Sequence, residues 1–217
     1  DRINRLEREL QLLGRHRFQQ RTKRNRQGTP IVSIVGYTNA GKSTLLNALT
    51  DSQVLARNRH FEKLDTVSRR LHLTIKGDVI LTDTVVFIRD LPRDLLKAFS
   101  TTLEELHDAD LLLHVVDASA TDFDRQIEVV EAILAELELD HVAQVLVLNK
   151  CDCLPNEEVE VLRQRYKGIS VSAISRNTLE QLRWIIAETL DRLRDQRRSA
   201  KLEWQDYKES TFLLQSS

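Results

Sequence analysis

The chain of 217 residues carries Gly36-Tyr37-Thr38-Asn39-Ala40-Gly41-Lys42-Ser43 between an apolar β-branched run (31–35) and a helix-like segment (42–49). The spacing G-x-x-x-x-G-K-S in this strand-to-helix context predicts a phosphate-binding loop. Glycines let the backbone wrap a polyphosphate, so that successive N–H groups and a helix N-terminus face it. Lys42 would then reach the β/γ-phosphates, and the Ser43 hydroxyl would ligate Mg²⁺. The alternative is a glycine turn with a surface lysine.

From residue 31 onward, strand-like and helix-like segments alternate. Solid apolar runs are typical of strands that are buried on both faces, as in a parallel sheet covered by helices. Lys76-Gly77-Asp78 is a tight turn between two short strands and predicts one antiparallel hairpin. The pattern therefore predicts an α/β fold with a mostly parallel sheet. The predicted strands are Ile31–Val35, Arg70–Ile75, Val79–Leu81, Leu111–Val116, Val145–Leu148 and Ile169–Val171, and the predicted helices are Lys42–Leu49, Arg93–Leu106, Asp124–Leu137, Glu157–Tyr166 and Leu179–Leu193.

Three downstream features select among the ATPases, kinases and GTPases that share such a loop. Asn149-Lys150-Cys151-Asp152 follows a buried run, and the Asp152 carboxylate can accept from the ring N–H and the exocyclic amine of guanine together. Adenine presents a different donor pattern, so an aspartate rejects it. Asn149 and Lys150 would brace the loops and pack over the base. The alternative is a polar turn at the end of a strand.

The other two features are a small-residue loop and a strand-end carboxylate. Ser172-Ala173 follows the last short strand, and small residues let a backbone N–H approach the guanine O6. Asp83 ends another strand and can hold Mg²⁺ through water, opposite Ser43; an ordinary strand-end aspartate is the alternative. The candidate nucleotide-binding residues are Gly36, Tyr37, Thr38, Asn39, Ala40, Gly41, Lys42, Ser43, Thr44, Asp83, Asn149, Lys150, Asp152, Ser172 and Ala173, with Ser43 and Asp83 as metal ligands.

Charge is distributed unevenly along the chain. Residues 1–28 hold nine Arg or Lys and three Asp or Glu, whereas the remainder holds 23 basic and 30 acidic residues. A basic arm on an acidic body suggests an anionic partner, nucleic acid first, which residues 15–26 would contact through their charge; a solvated helix or linker is the alternative. We divide the chain into a helical basic arm (1–28), a GTP-binding domain (29–194) and an unassigned tail (195–217).

Three segments together closely resemble the HflX family of ribosome-associated GTPases: residues 36–49, the run Asp83-Thr-Val-Val-Phe-Ile-Arg-Asp-Leu-Pro92, and Leu111-Leu-Leu-His-Val-Val-Asp-Ala118. The resemblance implies a cytoplasmic GTPase that uses GTP and Mg²⁺ and binds the large ribosomal subunit and its RNA. Members of the family split ribosomes, notably under stress. Residues 1–28 resemble the end of the family's N-terminal domain and its helical linker. We expect a monomer.

Two substitutions depart from the family in the parts that sense the γ-phosphate. Val86 stands where the family has the glycine of Asp-Thr-Val-Gly-Phe, and a β-branched residue resists unusual backbone angles. Lys63 stands where a threonine would ligate Mg²⁺, and lysine cannot ligate a cation; Thr66 or Ser68 could substitute. Phe87 occupies the place of a water-orienting glutamine, as is normal in the family. We therefore expect slow or partner-dependent hydrolysis, with a catalytically silent GTP/GDP-binding module as the alternative.

Asn39 matches a position at which related GTPases help to bind K⁺, and it could equally brace the loop. Cys151 and Cys153 have no second pair, so a zinc site is not expected and a reduced compartment fits. No run approaches ~18 continuous apolar residues, which excludes a spanning helix.

Overall fold

The structure is a computed structural model that describes residues 29–50, 67–73, 77–83 and 104–215. In the last of these ranges, side chains are described for residues 106–199 only. The predictions about the basic arm, Lys63, Thr66, Val86 and Phe87 lie outside the described residues, as does most of the helix predicted at Arg93–Leu106. Ser68, one of the two residues that could replace Lys63 as a metal ligand, is described. It is exposed and lies opposite Thr82 in the antiparallel pair at the edge of the sheet.

A six-stranded sheet forms the centre of the described fold, with the strand order β2-β3-β1-β4-β5-β6. β2 and β3 pair antiparallel, and all other neighbours pair in parallel. This confirms the predicted α/β class and its single hairpin. The strands are β1 (Ile31–Val35), β2 (Val67–Leu73), β3 (Gly77–Asp83), β4 (Leu111–Asp117), β5 (Gln144–Asn149) and β6 (Ile169–Ser170).

Four α-helices accompany the sheet in the described ranges: α1 (Lys42–Leu49), α2 (Phe123–Glu136), α3 (Asn156–Tyr166) and α4 (Arg176–Gln215). Short 3₁₀ turns lie at Glu104–Asp108 and Cys151–Cys153. The 3₁₀ turn at Glu104–Asp108 includes the last residues of the helix predicted at Arg93–Leu106.

The two faces of the sheet are covered by different helices. On one face, alternate strand residues such as Val32, Leu113 and Val115 belong to one core with apolar residues of α1 and α4. On the other face, Val35 and Leu112 join a second core with residues of α2. Because β1 is covered on both sides, all five of its residues are buried, as expected of a strand in a parallel sheet.

Helix α4 is longer than the sequence predicted. The predicted segment ended at Leu193 and the tail from 195 was left unassigned, whereas the helix continues to Gln215 without a break. Buried residues recur at three- and four-residue spacing up to Leu190, and residues 194–199 are exposed. The range 176–215 contains neither glycine nor proline, so nothing in it interrupts a helix once the packed half has formed.

Among the helices of the described residues, none combines the length and the apolar character that crossing a membrane requires.

Candidate nucleotide-binding site

The predicted site residues meet at one edge of the sheet. β1, β3, β4, β5 and β6 run parallel, so their carboxyl ends lie at the same edge. The loop 36–41 follows β1, and Asp83 and Asn149 are the last residues of β3 and β5. The chain order of the strands reverses on either side of β1, which is where open α/β sheets bind ligands.

Two glycines of the loop 36–41 occupy positions in which a side chain would be strained and would lie too close to its neighbours. Gly36 has φ 152°, and a Cβ there would lie 2.1 Å from the Val115 carbonyl oxygen. Gly41 has φ 90°, and a Cβ there would lie 2.3 Å from the Asn149 Nδ2. Asn39 also has a positive φ, 60°, which asparagine tolerates better than most residues. The loop is therefore held against β4 and β5 by backbone shape.

Lys42 points back under the loop. Its side chain is 5 % exposed, and its Nζ donates to the carbonyl oxygens of Gly36 at 2.9 Å and of Tyr37 at 2.7 Å. Burial lowers the pKa of Lys42 from its ordinary value of 10.5 to about 8, although the charge of Asp83 works in the opposite direction. An ammonium has three donors, so these two bonds fix the side chain and leave one N–H for a phosphate oxygen.

Ser43 and Asp83 come together beside the first turn of α1. The Ser43 hydroxyl donates to the Asp83 Oδ2 at 2.6 Å, and β1 and β3 bring them together because Ile34 pairs with Asp83. A hydroxyl and a carboxylate oxygen are hard donors of the kind that Mg²⁺ prefers. The two residues thus fit the predicted metal, which would replace the hydrogen bond between them.

Asn149 ties the loop that follows β5 to the loop 36–41. Its side chain is buried, and its Nδ2 donates to the Ala40 carbonyl oxygen at 2.9 Å. This is the bracing role that the sequence suggested. Its Oδ1 is also buried and has no hydrogen-bond partner among the described residues.

Asp152 is exposed at the 3₁₀ turn that follows β5. The nearby Ser172 hydroxyl is the main cause that lowers the pKa of Asp152, although this hydroxyl makes no full hydrogen bond within the described part of the chain. An ionised carboxylate is an acceptor only. Asp152 is therefore in the form that two donors on one edge of guanine require.

The loop that carries Ser172 and Ala173 is held by Thr178, which the sequence reasoning did not single out. The Ser172 N–H donates to the Thr178 Oγ1 at 3.0 Å, and this hydroxyl lies within hydrogen-bonding distance of the carbonyl oxygens of Ser172, at 3.0 Å, and Ser175, at 2.9 Å. A threonine directly before the helix predicted at Leu179–Leu193 was the available signal.

Asp117 is the second residue that the sequence reasoning missed as a site residue. It ends β4 directly beside Asn149, and its Oδ2 accepts a hydrogen bond from the Lys150 Nζ at 2.6 Å. Its place at the carboxyl end of a predicted strand, like that of Asp83, was a usable signal.

This arrangement defines a P-loop GTPase domain: a glycine-shaped loop with a buried lysine and a Ser–Asp pair at one end, and an Asn-Lys-x-Asp loop at the other. The family model described as "50S ribosome-binding GTPase" matches residues 31–150. A structure of a GTP-binding protein from Sulfolobus solfataricus in complex with GDP is similar, with a TM-score of 0.60 and 27 % identity, over 76 % of this chain and 53 % of that one.

Curated relatives specify the family. The GTPase HflX of Caldanaerobacter subterraneus is 49 % identical over 154 residues, which are 71 % of this chain and 36 % of the relative. The GTPase HflX of Alkalihalophilus pseudofirmus is 41 % identical over 189 residues, 87 % of this chain and 44 % of the relative. The chain belongs to the HflX family of GTPases. It spans less than half the length of these two relatives.

Proposed function

We propose that this chain binds guanine nucleotides and hydrolyses GTP in association with the large ribosomal subunit. The single observation that carries the proposal is the 2.9 Å bond from the Asn149 Nδ2 to the Ala40 carbonyl oxygen. It joins a loop suited to a polyphosphate to a loop that presents an ionised Asp152. One ligand that carries both phosphates and guanine would satisfy both loops, whereas adenine offers Asp152 the wrong donors.

The phosphates would lie along residues 36–44, with the remaining N–H of Lys42 on a phosphate oxygen. Ser43 would ligate Mg²⁺ directly and Asp83 through water, and Mg²⁺ would supply positive charge against the charge that develops on the phosphate oxygens. The base would contact Asn149, Lys150, Asp152, Ser172 and Ala173.

Hydrolysis by the isolated chain would be slow. Lys63 and Val86 replace a metal-ligating threonine and a glycine of the family pattern, and both belong to the segments that respond to the γ-phosphate. The rate would come from positioning and charge rather than from a side-chain base. A K⁺ ion bound at Asn39 would add such charge. The positive φ of Asn39 offers a second explanation for an asparagine at this position, because asparagine tolerates that backbone conformation.

The partner side of the proposal rests on the family and on charge. The matching family is described by its binding to the 50S subunit, and residues 15–26 contain six basic and no acidic residues. We propose that this arm contacts ribosomal RNA through phosphates, and that a monomer in the cytoplasm couples GTP to ribosome splitting. The boundaries 1–28, 29–194 and 195–217 remain part of this proposal.

The test is single-turnover GTP hydrolysis by the chain alone, with large subunits and with small subunits as the control. We expect slow hydrolysis alone and a faster rate with large subunits only. A Val86→Gly variant should raise the rate of the isolated chain, because it restores the flexible position.

Two results would contradict the proposal in different ways. Rapid Mg²⁺-dependent turnover by the isolated chain would show that Lys63 and Val86 do not impair the site. GTP binding without hydrolysis, even with large subunits, would support the second candidate function, a silent binding module, which these same two substitutions favour.

A further inference from the structure

Asp117 is mostly buried, and its carboxylate accepts three hydrogen bonds. Its Oδ2 accepts from the Lys150 Nζ at 2.6 Å, and its Oδ1 accepts from the Ser119 N–H at 3.1 Å and the Ser119 hydroxyl at 2.6 Å. The exposed fraction of the side chain is 16 % for Asp117 and 37 % for Lys150. Burial raises the pKa of Asp117, but the hydrogen bonds from Lys150 and Ser119 outweigh burial and lower it overall.

Lys150 also has an unusual backbone conformation. Its φ is 61°, in the left-handed region that lysine rarely adopts. Its Cε would be 3.9 Å from a Cβ added at Gly41, so the stem passes beside the phosphate-binding loop. The stem thus runs from the loop after β5, along the loop 36–41, to the end of β4.

The pairing of β4 with β5 does not by itself explain why Asp117 carries a carboxylate. The ends of β4 and β5 are already joined by the Ala118 N–H, which donates to the Asn149 carbonyl oxygen at 2.9 Å. The carboxylate therefore has little to add to strand pairing. What it does fix is the head of a long side chain that would otherwise sample many rotamers.

We propose that Asp117 is a positioning residue for the nucleotide base: it holds Lys150 so that the apolar stem packs against the purine. This inference rests on the proposed function, because it assumes that guanine binds between Asn149 and Asp152. A CH₂ stem anchored at both ends offers the base a flat apolar surface at low entropic cost. Asp117 would then contribute to binding of the base and not to binding of the phosphates.

The test measures GDP and inorganic pyrophosphate binding by calorimetry for the wild type, Asp117→Asn, Lys150→Met and the double variant. Asp117→Asn should weaken GDP binding by about 5- to 10-fold, the effect of one lost charge-assisted bond. Pyrophosphate, which has no base, should bind within about twofold of the wild type. In the Lys150→Met background Asp117→Asn should have no further effect, because the two residues act as a unit.

The matched control is Asp140→Asn, which removes the same charge from an exposed position and should leave GDP affinity unchanged. If Asp117→Asn does not fold, Asp117→Glu serves instead, since it keeps the charge and misplaces the carboxylate; it should weaken GDP and spare pyrophosphate. Unchanged GDP affinity, an equal loss for pyrophosphate, or additive effects of Asp117→Asn and Lys150→Met would each overturn the inference. A wild type that binds pyrophosphate but not GDP would instead refute the proposed function.

Discussion

The two ends of the candidate site differ in how their polar groups are occupied. At the phosphate end, Lys42 donates to two backbone carbonyls and Ser43 donates to Asp83. At the base end, the Asn149 Oδ1 is buried without a partner among the described residues, and the Asp152 carboxylate is exposed to solvent. At the phosphate end, the polar side chains are hydrogen-bonded to other protein groups. At the base end, the oxygens of Asn149 and Asp152 can still accept hydrogen bonds from a ligand.

This difference indicates that the two ends respond differently to a ligand. Asp152 is exposed, so a base can reach its carboxylate directly. A metal at Ser43 and Asp83 must first replace their 2.6 Å hydrogen bond. The base end is therefore largely preformed, whereas the phosphate end must exchange bonds when a metal binds.

The largest effect is expected from Lys42→Met, which keeps the apolar stem and removes the ammonium. The variant loses the charged contact to phosphate and both bonds that shape the loop, so GDP affinity should fall by about 100-fold, or roughly 2.7 kcal/mol. Calorimetric titration with GDP measures it. Pyrophosphate should lose affinity in parallel, because Lys42 serves the phosphates.

The control for this variant is Arg192→Met, which removes a positive charge from an exposed position of α4 and should leave affinity unchanged. A Lys42→Met protein that binds GDP within a factor of three of the wild type would mean that the loop is a glycine turn rather than a phosphate site.

A smaller effect is expected from Asp152→Asn at the base end. The amide cannot accept from both guanine donors, so GDP affinity should fall by about 30-fold. Xanthosine diphosphate, which carries a carbonyl in place of the exocyclic amine, should gain affinity relative to GDP. Pyrophosphate binding should not change. Equal competition by ADP in the wild type, or GDP affinity unaffected by Asp152→Asn, would contradict the assignment of guanine.

The smallest effect concerns stability and pH. The pKa of Lys42 is about 8 in the folded protein and ordinarily 10.5, so between these values the unfolded chain holds more protons. The free energy of unfolding should therefore rise with pH, by about 1 kcal/mol from pH 7.5 to 9 for this residue. His114, whose pKa burial lowers to about 4, stays neutral over that range in the folded state.

Urea denaturation of the wild type and of Lys42→Met across this range isolates the contribution of the lysine. The variant should lack this part of the pH dependence, because it has no ammonium to lose. Parallel curves for the two proteins would show that Lys42 is not buried as a charge.

The local pattern was sufficient to predict much of the fold. α1 begins and ends at the predicted residues, because a glycine in the left-handed region precedes it and an apolar stripe runs through it. β1 also has its predicted bounds, since an all-apolar run is what a doubly covered strand requires. The extent of α4 was missed because the described residues beyond its packed part, 194–199, are exposed and continue no burial pattern.

The candidate site also contains residues that local sequence predicts and residues that it does not. The residue types at 36–43 and 149–152 carry their chemistry locally, because phosphate wrapping needs glycines and guanine needs a carboxylate at one place. Asp117 acts through Lys150, 33 residues away in sequence, and only the pairing of β4 with β5 brings the two together. Thr178 acts through Ser172, six residues away, so its local position was a signal that the sequence already carried.

The sequence alone was enough to place the phosphate-binding loop, the α/β class and the family, because these depend on residue types at fixed spacing. Only the tertiary structure revealed that Lys42 is buried, that Asn149 is bonded to the phosphate-binding loop and that Lys150 is anchored by Asp117. The physical reason is that burial and long-range hydrogen bonds depend on which strands are neighbours, and β1, β4 and β5 become neighbours only on folding.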